Sequence, residues 1–263
     1  MEQSGPAEWM GSVPVLWPAW AAQCPAVRVA VSPARDASGA RFDLRHRNGL
    51  PTGLLNRLRF AQSAGLGSHM LIVPNQTHSA RVAVIGREGP GADGLAETDA
   101  VCTGEAGYAL MVQSADCGVI GLVDIEARAV GVAHAGWRGT AGRIVQELVA
   151  TMQSRLGARA ARMWAFIGPC AGSPAYEVGE DVAEAVAGLP GAGVCLQRRS
   201  GVAGKYALDL AGLNRAQLEE AGVRPERIDG AGECTISGSM GFFSHRREGA
   251  GAGRFGLVAG LVG

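Results

Sequence analysis

The sequence has no excess of charge of either sign, and this absence limits the partners that it can have. Its 24 lysine and arginine residues are balanced by 24 aspartate and glutamate residues, so the formal net charge is zero. Proteins that bind nucleic acids or membrane surfaces through electrostatics carry a basic face. We therefore expect neither a nucleic-acid partner nor a membrane partner.

The sequence also lacks closely spaced cysteines, a basic N-terminal stretch and a long apolar run. Its six cysteines include no Cys-x-x-Cys pair, which favours reduced thiols in a cytosolic protein over a disulfide framework. The first twenty residues contain Glu2 and Glu8 but no basic start, unlike a signal peptide. No stretch of about 18 apolar residues is present, so no membrane span is expected. These features predict a globular, cytoplasmic protein.

Internal repeats and a clear domain boundary are missing as well. Residues 1–26 are rich in Pro, Ala and Trp without a clear period, and we interpret them as a variable N-terminal extension. The remaining residues, 27–263, are numerous enough to bury a sizeable core. We predict that they form one α/β domain, in which a mixed β-sheet core is flanked by helices.

Apolar runs and their periods predict the elements of that domain. A stripe of apolar residues with helical spacing extends from Ile144 to Leu156, and Thr140 is suited to cap the helix that carries it. The predicted strands are 27–31, 69–74, 80–85, 107–113, 117–123, 129–134, 161–167 and 255–262. The predicted helices are 54–66, 140–156, 179–189 and 210–221.

Two histidines and one cysteine stand at the edges of separate β-type runs. His78 comes just before one run, Cys117 begins another, and His134 ends a third. Two imidazoles and a thiolate are the ligand set of a catalytic zinc site, in which water takes the fourth position. No helical spacing connects the three residues, so such a site requires three strand ends to converge. Copper is the second candidate metal, because imidazole and thiolate sites bind Cu(II) more tightly than zinc.

Two polar neighbours extend this group. Gln76 lies two residues before His78 and, in a strand, would point to the same face, where it could orient a substrate or a bound water. Asp116 precedes Cys117 in an apolar junction, where a carboxylate needs a cation, a metal or an imidazole N–H as a partner. It is a candidate to orient a ligand or to act as a general base. The catalytic candidates are therefore Gln76, Asp116 and Cys117.

The turn after His134 leads from a strand into a helix N-terminus, which is a reasonable place to bind an anion. The turn lacks the glycine spacing of a phosphate loop. Arg138 in this turn is either a cation for that anion or a solvated turn residue, and the sequence favours neither interpretation.

These residues belong to a longer series of motifs, which resembles that of one family over about residues 27–260. The family is described as multicopper polyphenol oxidase (laccase-like), as purine nucleoside phosphorylase and as peptidoglycan editing factor. The most specific motif is His134-Ala135-Gly136-Trp137-Arg138-Gly139. The other motifs are, in order, Asn56-Arg57, Gln76-Thr77-His78, Thr98-Asp99-Ala100, Ala115-Asp116-Cys117, Gly168-Pro169-Cys170, Tyr176-Glu177-Val178-Gly179, Asp209-Leu210 with Asn214, Cys234-Thr235, Phe243-Ser244-His245-Arg246-Arg247 and Gly253-Arg254.

The chain departs from the family's pattern in several places. Where the family has Thr-Thr-Arg and then Gly-Gly-Val-Ser leading to Asn-Leu, this chain has Arg35, the stretch Asp36-Ala37-Ser38-Gly39, and Asn48 at a compatible distance. His245 stands where tyrosine is common, and Ala252 where threonine is usual. Since the first of these regions contributes to the family's pocket, its departure bears on substrate preference.

The resemblance implies a single α/β domain with a mixed sheet, in a fold similar to that of the cytotoxic necrotising factor deamidases, which are cysteine hydrolases. It implies a zinc-dependent purine nucleoside phosphorylase with His78, Cys117 and His134 as metal ligands. The implied substrates are phosphate with adenosine, inosine, guanosine or methylthioadenosine, and deamination of adenosine is a second implied activity. Phosphate requires cations, and the candidates for substrate binding are Arg35, Asn48, Arg57, Arg138 and Arg246.

Three alternatives remain open. Cys117 could act as a nucleophile with His134 as its base, in an amidase that edits a peptidoglycan precursor. His78 distinguishes the amidase from the metal-dependent enzyme, since a metal site requires this residue and a Cys–His dyad does not. The laccase name implies a multicopper oxidase, but five histidines cannot fill a type 1 copper site and a three-copper cluster. Finally, the helices and the N-terminal tryptophans could present a surface to a partner protein without catalysis.

Overall fold

Strands and helices follow one another along the chain. The computed structural model describes residues 13–45, 51–91, 94–230, 232–238 and 241–262. The strands are β1 Val27–Val31, β2 Met70–Ile72, β3 Val82–Gly86, β4 Gly89–Pro90, β5 Ala100–Thr103, β6 Tyr108–Ser114, β7 Gly118–Asp124, β8 Ala129–Ala135, β9 Trp164–Ile167, β10 Glu177–Val178, β11 Leu196–Arg198, β12 Tyr206–Leu208, β13 Ile228–Gly230 and β14 Phe255–Leu261. The helices are α1 Thr52–Ser63, α2 Trp137–Ala141, α3 Ile144–Leu156, α4 Glu180–Val186, α5 Ala192–Cys195, α6 Leu210–Glu220 and α7 His245–Glu248. Within the described ranges, every helix is too short or too polar to span a bilayer.

Two large sheets lie face to face, and a third, small sheet lies apart from them. The seven-stranded sheet has the order β13-β9-β7-β8-β5-β3-β4, and the four-stranded sheet has the order β1-β14-β6-β2. Both are mixed, because the pairs β9–β13, β3–β5 and β2–β6 are parallel while their other pairs are antiparallel. The small sheet has the order β10-β12-β11.

The alternation of side chains along the strands produces four layers. Successive side chains of a strand point to opposite faces. In β7, Val119 and Val123 belong to the apolar cluster between the two large sheets, while Ile120 and Leu122 pack with α3 and α6. On the outer face of the four-stranded sheet, residues such as Met111 pack against α1. The prediction of one α/β domain, with mixed sheets flanked by helices, is confirmed.

The helix predicted over 140–156 is in fact two helices. Arg143, between α2 and α3, has a left-handed backbone with φ +61°, which interrupts the helix. Thr140 does not cap α3, because it lies inside α2 and its hydroxyl accepts a hydrogen bond from Asn214 of α6 at 3.1 Å. The cap prediction is therefore wrong, and the hydroxyl joins two helices instead.

Several short strands carry too little pattern to be predicted. Strand β5 and all three strands of the small sheet were not predicted, and they have two to four residues each. The strand predicted over 161–167 begins only at Trp164, since a 3-10 turn occupies Ala160–Arg162. The strand β13 was missed as well, although it pairs with β9.

Part of the predicted N-terminal extension packs on the domain. Trp20 is buried, its Nε1 donates a hydrogen bond to the Ala165 carbonyl at 3.0 Å, and its ring lies 5.9 Å from that of Trp164. Leu16 forms a β-bridge with Val31. That residues 1–26 are a variable extension stays a prediction.

The two large sheets approach closely at Gly121 of β7. A Cβ atom there would lie 2.9 Å from Val29 Cγ1 and 3.4 Å from Leu257 Cδ2, on the facing sheet. We expect Gly121→Ala to lower the free energy of unfolding by about 1–3 kcal/mol, because the added methyl group must push packed strands apart. Gly86→Ala in β3 is the matched control, since a Cβ there meets no atom within 4 Å. Urea unfolding measures both, and equal midpoints for the two variants would contradict the expectation.

Candidate metal centre

The three predicted ligands come together at one edge of the seven-stranded sheet. Strand β8 lies between β7 and β5 and runs antiparallel to both, so the starts of β7 and β5 lie beside the end of β8. Cys117 directly precedes β7, and His134 is the penultimate residue of β8. His78 is in the loop before β3, which is parallel to β5. The ligand atoms of the three residues all lie within 4.8 Å of one another.

This cluster fits a metal ion of the zinc type. A tetrahedral zinc ion with bonds of about 2.0–2.3 Å holds its ligand atoms roughly 3.5 Å apart, so small side-chain movements bring the three atoms onto one ion. His134 is buried, Cys117 is half-buried and His78 is exposed. Three protein ligands leave a position open toward the exposed side, as in catalytic sites. The same donors also suit copper, so the identity of the metal stays a prediction.

Asp99, which directly precedes β5, ties two of the ligands together. Its buried carboxylate accepts hydrogen bonds from the backbone N–H groups of Thr77, His78 and Ser79, at 3.0, 3.0 and 2.7 Å. The Ser79 hydroxyl donates a fourth bond at 2.8 Å. His134 donates the fifth from Nδ1, also at 2.8 Å. Because the proton is held on Nδ1, Nε2 of His134 is free to bind a metal ion.

Two residues of the site have a left-handed backbone, which side-chain-bearing residues rarely adopt. The φ angle is +65° at His78 and +97° at Asp116. Such conformations persist when the surrounding structure holds them in place. The Asp116 carboxylate accepts hydrogen bonds from the Thr235 hydroxyl and the Arg246 N–H, and its carbonyl accepts one from the Ala171 N–H, each at 2.7 Å. Three segments of the chain thus fix the residue next to Cys117.

Gln76 lies in a loop and not in a strand, so the predicted strand face shared with His78 is wrong. The loop is held instead by the hydrogen bonds to Asp99. The Gln76 amide pairs with the backbone of Gln113 in β6, where Nε2 donates at 2.7 Å and Oε1 accepts at 2.8 Å. Gln76 therefore clamps the loop of His78 to the four-stranded sheet, and its role in orienting a substrate stays a prediction.

The charges of Cys117 and His134 stabilise each other. Burial raises the pKa of the Cys117 thiol, but the charge of His134 and hydrogen bonds with both histidines outweigh burial and lower it to about 6. Burial lowers the pKa of His134, but the Cys117 thiolate and the Asp99 carboxylate raise it to about 9. For Asp99, burial is outweighed by its hydrogen bonds, which hold its pKa well below the usual range. A thiolate is the form of cysteine that binds metals and attacks electrophiles.

Two of the predicted substrate-binding residues are connected to residues of this site, one by a hydrogen bond and one by its place in the chain. Arg246 donates its backbone N–H to Asp116, and its exposed guanidinium donates to the Glu177 carbonyl at 2.8 Å. Arg138 is exposed in α2, two residues after Gly136, and its guanidinium lies 4.2 Å from the centre of the Trp137 ring. Both residues are exposed, and their role in binding a substrate stays a prediction.

The other three predicted substrate-binding residues are placed differently. Arg57 reaches the Leu44 carbonyl at 2.8 Å and the Gln113 side chain at 3.4 Å, so it joins α1 to β6. Arg35 is exposed at a cavity of about 290 Å³ and donates to the Gly39 carbonyl at 2.9 Å. Asn48 lies outside the described residues.

Sequence reasoning assigned no role to two residues that shape the site. Asp99 was noted only within the motif Thr98-Asp99-Ala100. Gly136 contacts two ligands, since a Cβ there would lie 2.6 Å from Cys117 Sγ and 3.2 Å from His78 Cδ2. In the sequence, the motifs were the available signal for these two residues. Asp99 lies directly before a strand, and Gly136 lies directly after the strand that carries His134.

The fold and the site define a class of protein. It is an α/β protein with two facing mixed sheets and a His–Cys–His cluster at the edge of one sheet. A sequence model of the family described as multi-copper polyphenol oxidoreductase laccase matches residues 53–262. The chain belongs to this family, as its motifs predict.

Relatives and solved structures agree with this assignment. The chain is 41% identical to a purine nucleoside phosphorylase of Deinococcus radiodurans over 206 residues, which cover 78% of this chain and 76% of the relative. It is 39% identical over 204 residues to adenosine deaminase RL5 of an unknown prokaryotic organism, covering 75% and 78%. The crystal structure of YlmD from Geobacillus stearothermophilus matches with a TM-score of 0.80 at 30% identity, covering 91% and 93% of the two chains. The hypothetical protein YfiH of Bacillus licheniformis matches with a TM-score of 0.80 at 26% identity, covering 92% and 94%.

Asp99→Asn should weaken zinc binding by about 10- to 100-fold. An asparagine amide can turn a donor toward Nδ1 of His134, which would move the imidazole proton to Nε2, the nitrogen needed by the metal. Competition with a chromophoric chelator measures the affinity. Asp124→Asn is the matched control, because Asp124 is equally buried but binds Arg162 at the opposite end of β7. An equal loss of zinc affinity in both variants would show a general effect of losing a buried carboxylate.

The reactivity of Cys117 toward iodoacetamide should follow its lowered pKa. In metal-free protein, the alkylation rate constant should rise with pH around a midpoint of about 6 and level off above it, because only the thiolate reacts. One equivalent of zinc should protect the thiol. Cys102, fully buried and with a pKa raised to about 12 by burial, is the internal control and should stay unmodified. Mass spectrometry of the peptides measures both sites, and a midpoint near the ordinary value of about 8.5 would contradict the expectation.

Proposed function

We propose that the protein is a zinc-dependent purine nucleoside phosphorylase that acts on adenosine, inosine, guanosine and methylthioadenosine, and that it also deaminates adenosine. The observation that carries the proposal is the cluster of His78, Cys117 and His134, with His134 oriented by Asp99. The substrate class is supported by two relatives, one named a purine nucleoside phosphorylase and the other an adenosine deaminase.

The three ligands would hold zinc through imidazole nitrogens and a thiolate, a donor set typical of this metal. When bound, zinc supplies a Lewis acid next to the reacting atoms. The chain's own contribution is twofold. The charge of His134 keeps Cys117 ionised in the metal-free protein, and the bond to Asp99 keeps a proton on Nδ1 of His134, so that the proton lost when a metal binds is the one on Nε2. Gly136 leaves the space for both Cys117 and His78.

Phosphorolysis breaks the bond between the anomeric carbon of the sugar and the purine nitrogen, and it forms a bond from that carbon to a phosphate oxygen. The reaction needs cations for the phosphate. Arg246, which is bonded to Asp116, and Arg138, which follows Gly136 by two positions, are both exposed, and we assign them to this task. Asp116 would position Arg246 through the bond to its N–H, and Gln76 would position the loop of His78.

A specific observation also favours the amidase alternative. Asp99, His134 and Cys117 form a chain of hydrogen bonds with a lowered thiol pKa, which is the arrangement of a cysteine nucleophile, its base and an orienting acid. In that reaction the Cys117 thiolate would attack an amide carbonyl carbon, and His134 would give a proton to the leaving amine. This chemistry would match the proposed likeness to the cytotoxic necrotising factor deamidases, which stays a prediction.

The name of the family points to multicopper chemistry, which the ligands do not favour. In the part of the chain that the structure describes, one group of His, Cys and acidic residues is arranged to hold a metal ion. His69 contacts the Leu261 carbonyl at 2.9 Å, and His245 is exposed in α7. His46 lies outside the described residues. We therefore treat copper as an alternative occupant of the single cluster.

His78→Ala should remove both zinc binding and phosphate-dependent release of adenine from adenosine, because two ligands cannot hold the ion in a catalytic geometry. His69→Ala is the matched control and should retain both, since His69 lies outside the cluster. Elemental analysis of protein purified without added metal gives the zinc content, and chromatography of adenosine incubated with and without phosphate gives the products.

Each other result points to a different function. Copper in place of zinc would overturn the metal assignment. If inosine forms without phosphate and no adenine forms with phosphate, the protein is a deaminase and not a phosphorylase. A metal-free protein whose His78→Ala variant still cleaves amides, while Cys117→Ala does not, would replace the proposal by the amidase.

A further inference from the structure

Two cysteines outside the cluster lie side by side near it. Cys170 follows β9 and Cys234 follows β13, and these strands are parallel. The two residues are partners in a parallel β-bridge, in which Cys170 donates to the Glu233 carbonyl at 3.4 Å and Thr235 donates to the Cys170 carbonyl at 3.0 Å. Paired strands lie about 4.8 Å apart, and a disulfide requires Cα atoms about 4.4–6.8 Å apart. The backbone therefore already has a spacing that a disulfide accepts.

Both cysteines line one cavity of about 450 Å³. Cys234 is half-buried there, whereas Cys170 is almost fully buried. Both are free thiols in this structure. A small oxidant that enters the cavity from solvent therefore meets Cys234 first. The neighbouring thiol is that of Cys170, its partner in the β-bridge.

The surroundings of the two thiols differ in a way that suits a redox pair. Burial raises the pKa of the Cys234 thiol, but hydrogen bonds from the side chain and backbone of Ser237 and from the backbone of Gly172 and Ile236 lower it overall. For Cys170, burial raises the pKa strongly. An accessible thiol with a lowered pKa is the one that reacts first with oxidants, and a neighbouring thiol resolves the product once it gives up its proton.

We propose that Cys170 and Cys234 are a modification site, at which peroxides convert the two thiols reversibly to a disulfide. The Cys234 sulfur attacks one oxygen of the peroxide, the O–O bond breaks, and the other oxygen leaves as hydroxide. The Cys170 sulfur then attacks the Cys234 sulfenic acid, the S–S bond forms, and the sulfenic oxygen leaves as water with the Cys170 proton. The two electrons lost by the sulfurs reduce the peroxide.

The pair is connected to the metal centre through Asp116. Ala171, next to Cys170, donates to the Asp116 carbonyl, and Thr235, next to Cys234, donates to its carboxylate. A disulfide ties together the two residues that lie next to these donors, so it restrains both contacts to the residue that precedes Cys117. We therefore expect the oxidised protein to bind zinc several-fold more weakly than the reduced protein.

Peptide mapping of the zinc-loaded wild-type protein, before and after treatment with hydrogen peroxide, tests the site. Cleavage after arginine and glutamate separates Cys170 from Cys195, because Glu177, Glu180 and Glu184 lie between them. The expected product is a linked pair of peptides carrying Cys170 and Cys234, lighter than the free pair by two hydrogen atoms and separated again by dithiothreitol. Cys195→Ser is the matched control and should keep the crosslink, whereas Cys234→Ser should lose it.

Two results would overturn the site: a Cys234 sulfinic acid without a crosslink, or a crosslink from Cys170 to Cys117. Equal zinc affinities of the reduced and the crosslinked protein would overturn the connection to the metal centre. The mapping uses no nucleoside, so its result is independent of the proposed enzymatic function.

Discussion

One buried carboxylate, that of Asp99, holds the candidate metal centre together. Burying an ionised carboxylate is costly unless hydrogen bonds replace its water. All five donors that do so here belong to the loop of His78 or to the His134 ring. The loop conformation, the imidazole tautomer and the ionisation of the acid therefore depend on one another. Cys117 is not positioned by Asp99. The pairing of β7 with β8 places it opposite Gly136, next to the two histidines.

Much of the two large sheets was predictable from the sequence, and the reason is burial. Strands β6, β7 and β8 are buried at every position, so their apolar runs are long and unbroken. Strand β5 has four residues, and the small sheet is set by tertiary contacts instead of local pattern. The three ligands could be predicted because they are histidines and a cysteine at the edges of apolar runs, and because each lies in a motif of the family. Asp99 could not be assigned its role, because its partner His134 is 35 positions away and a buried aspartate looks like an exposed one in a sequence.

Asp116 has a comparable role on the other side of the cluster. Its left-handed backbone turns the chain from β6 into β7 and places Cys117 at the sheet edge. Hydrogen bonds from the segments after β9 and β13 and from α7 hold this turn. The Cys117 thiolate is consequently fixed by backbone that is shared with the cavity of Cys170 and Cys234. The candidate metal ligands, the candidate nucleophile and the proposed thiol pair thus all lie in one small part of the fold.

The three ligands differ in their exposure, from the open His78 through Cys117 to the enclosed His134. An ion arriving from solvent meets His78 first and His134 last, and a departing ion passes His78 on its way out. Since His78 lies on a loop and the other two are tied to paired strands, movement of that loop alone would open the cluster and leave the sheet folded. A metal ion held in this cluster would then exchange with the ions around the folded molecule, so its identity would not be fixed while the protein folds.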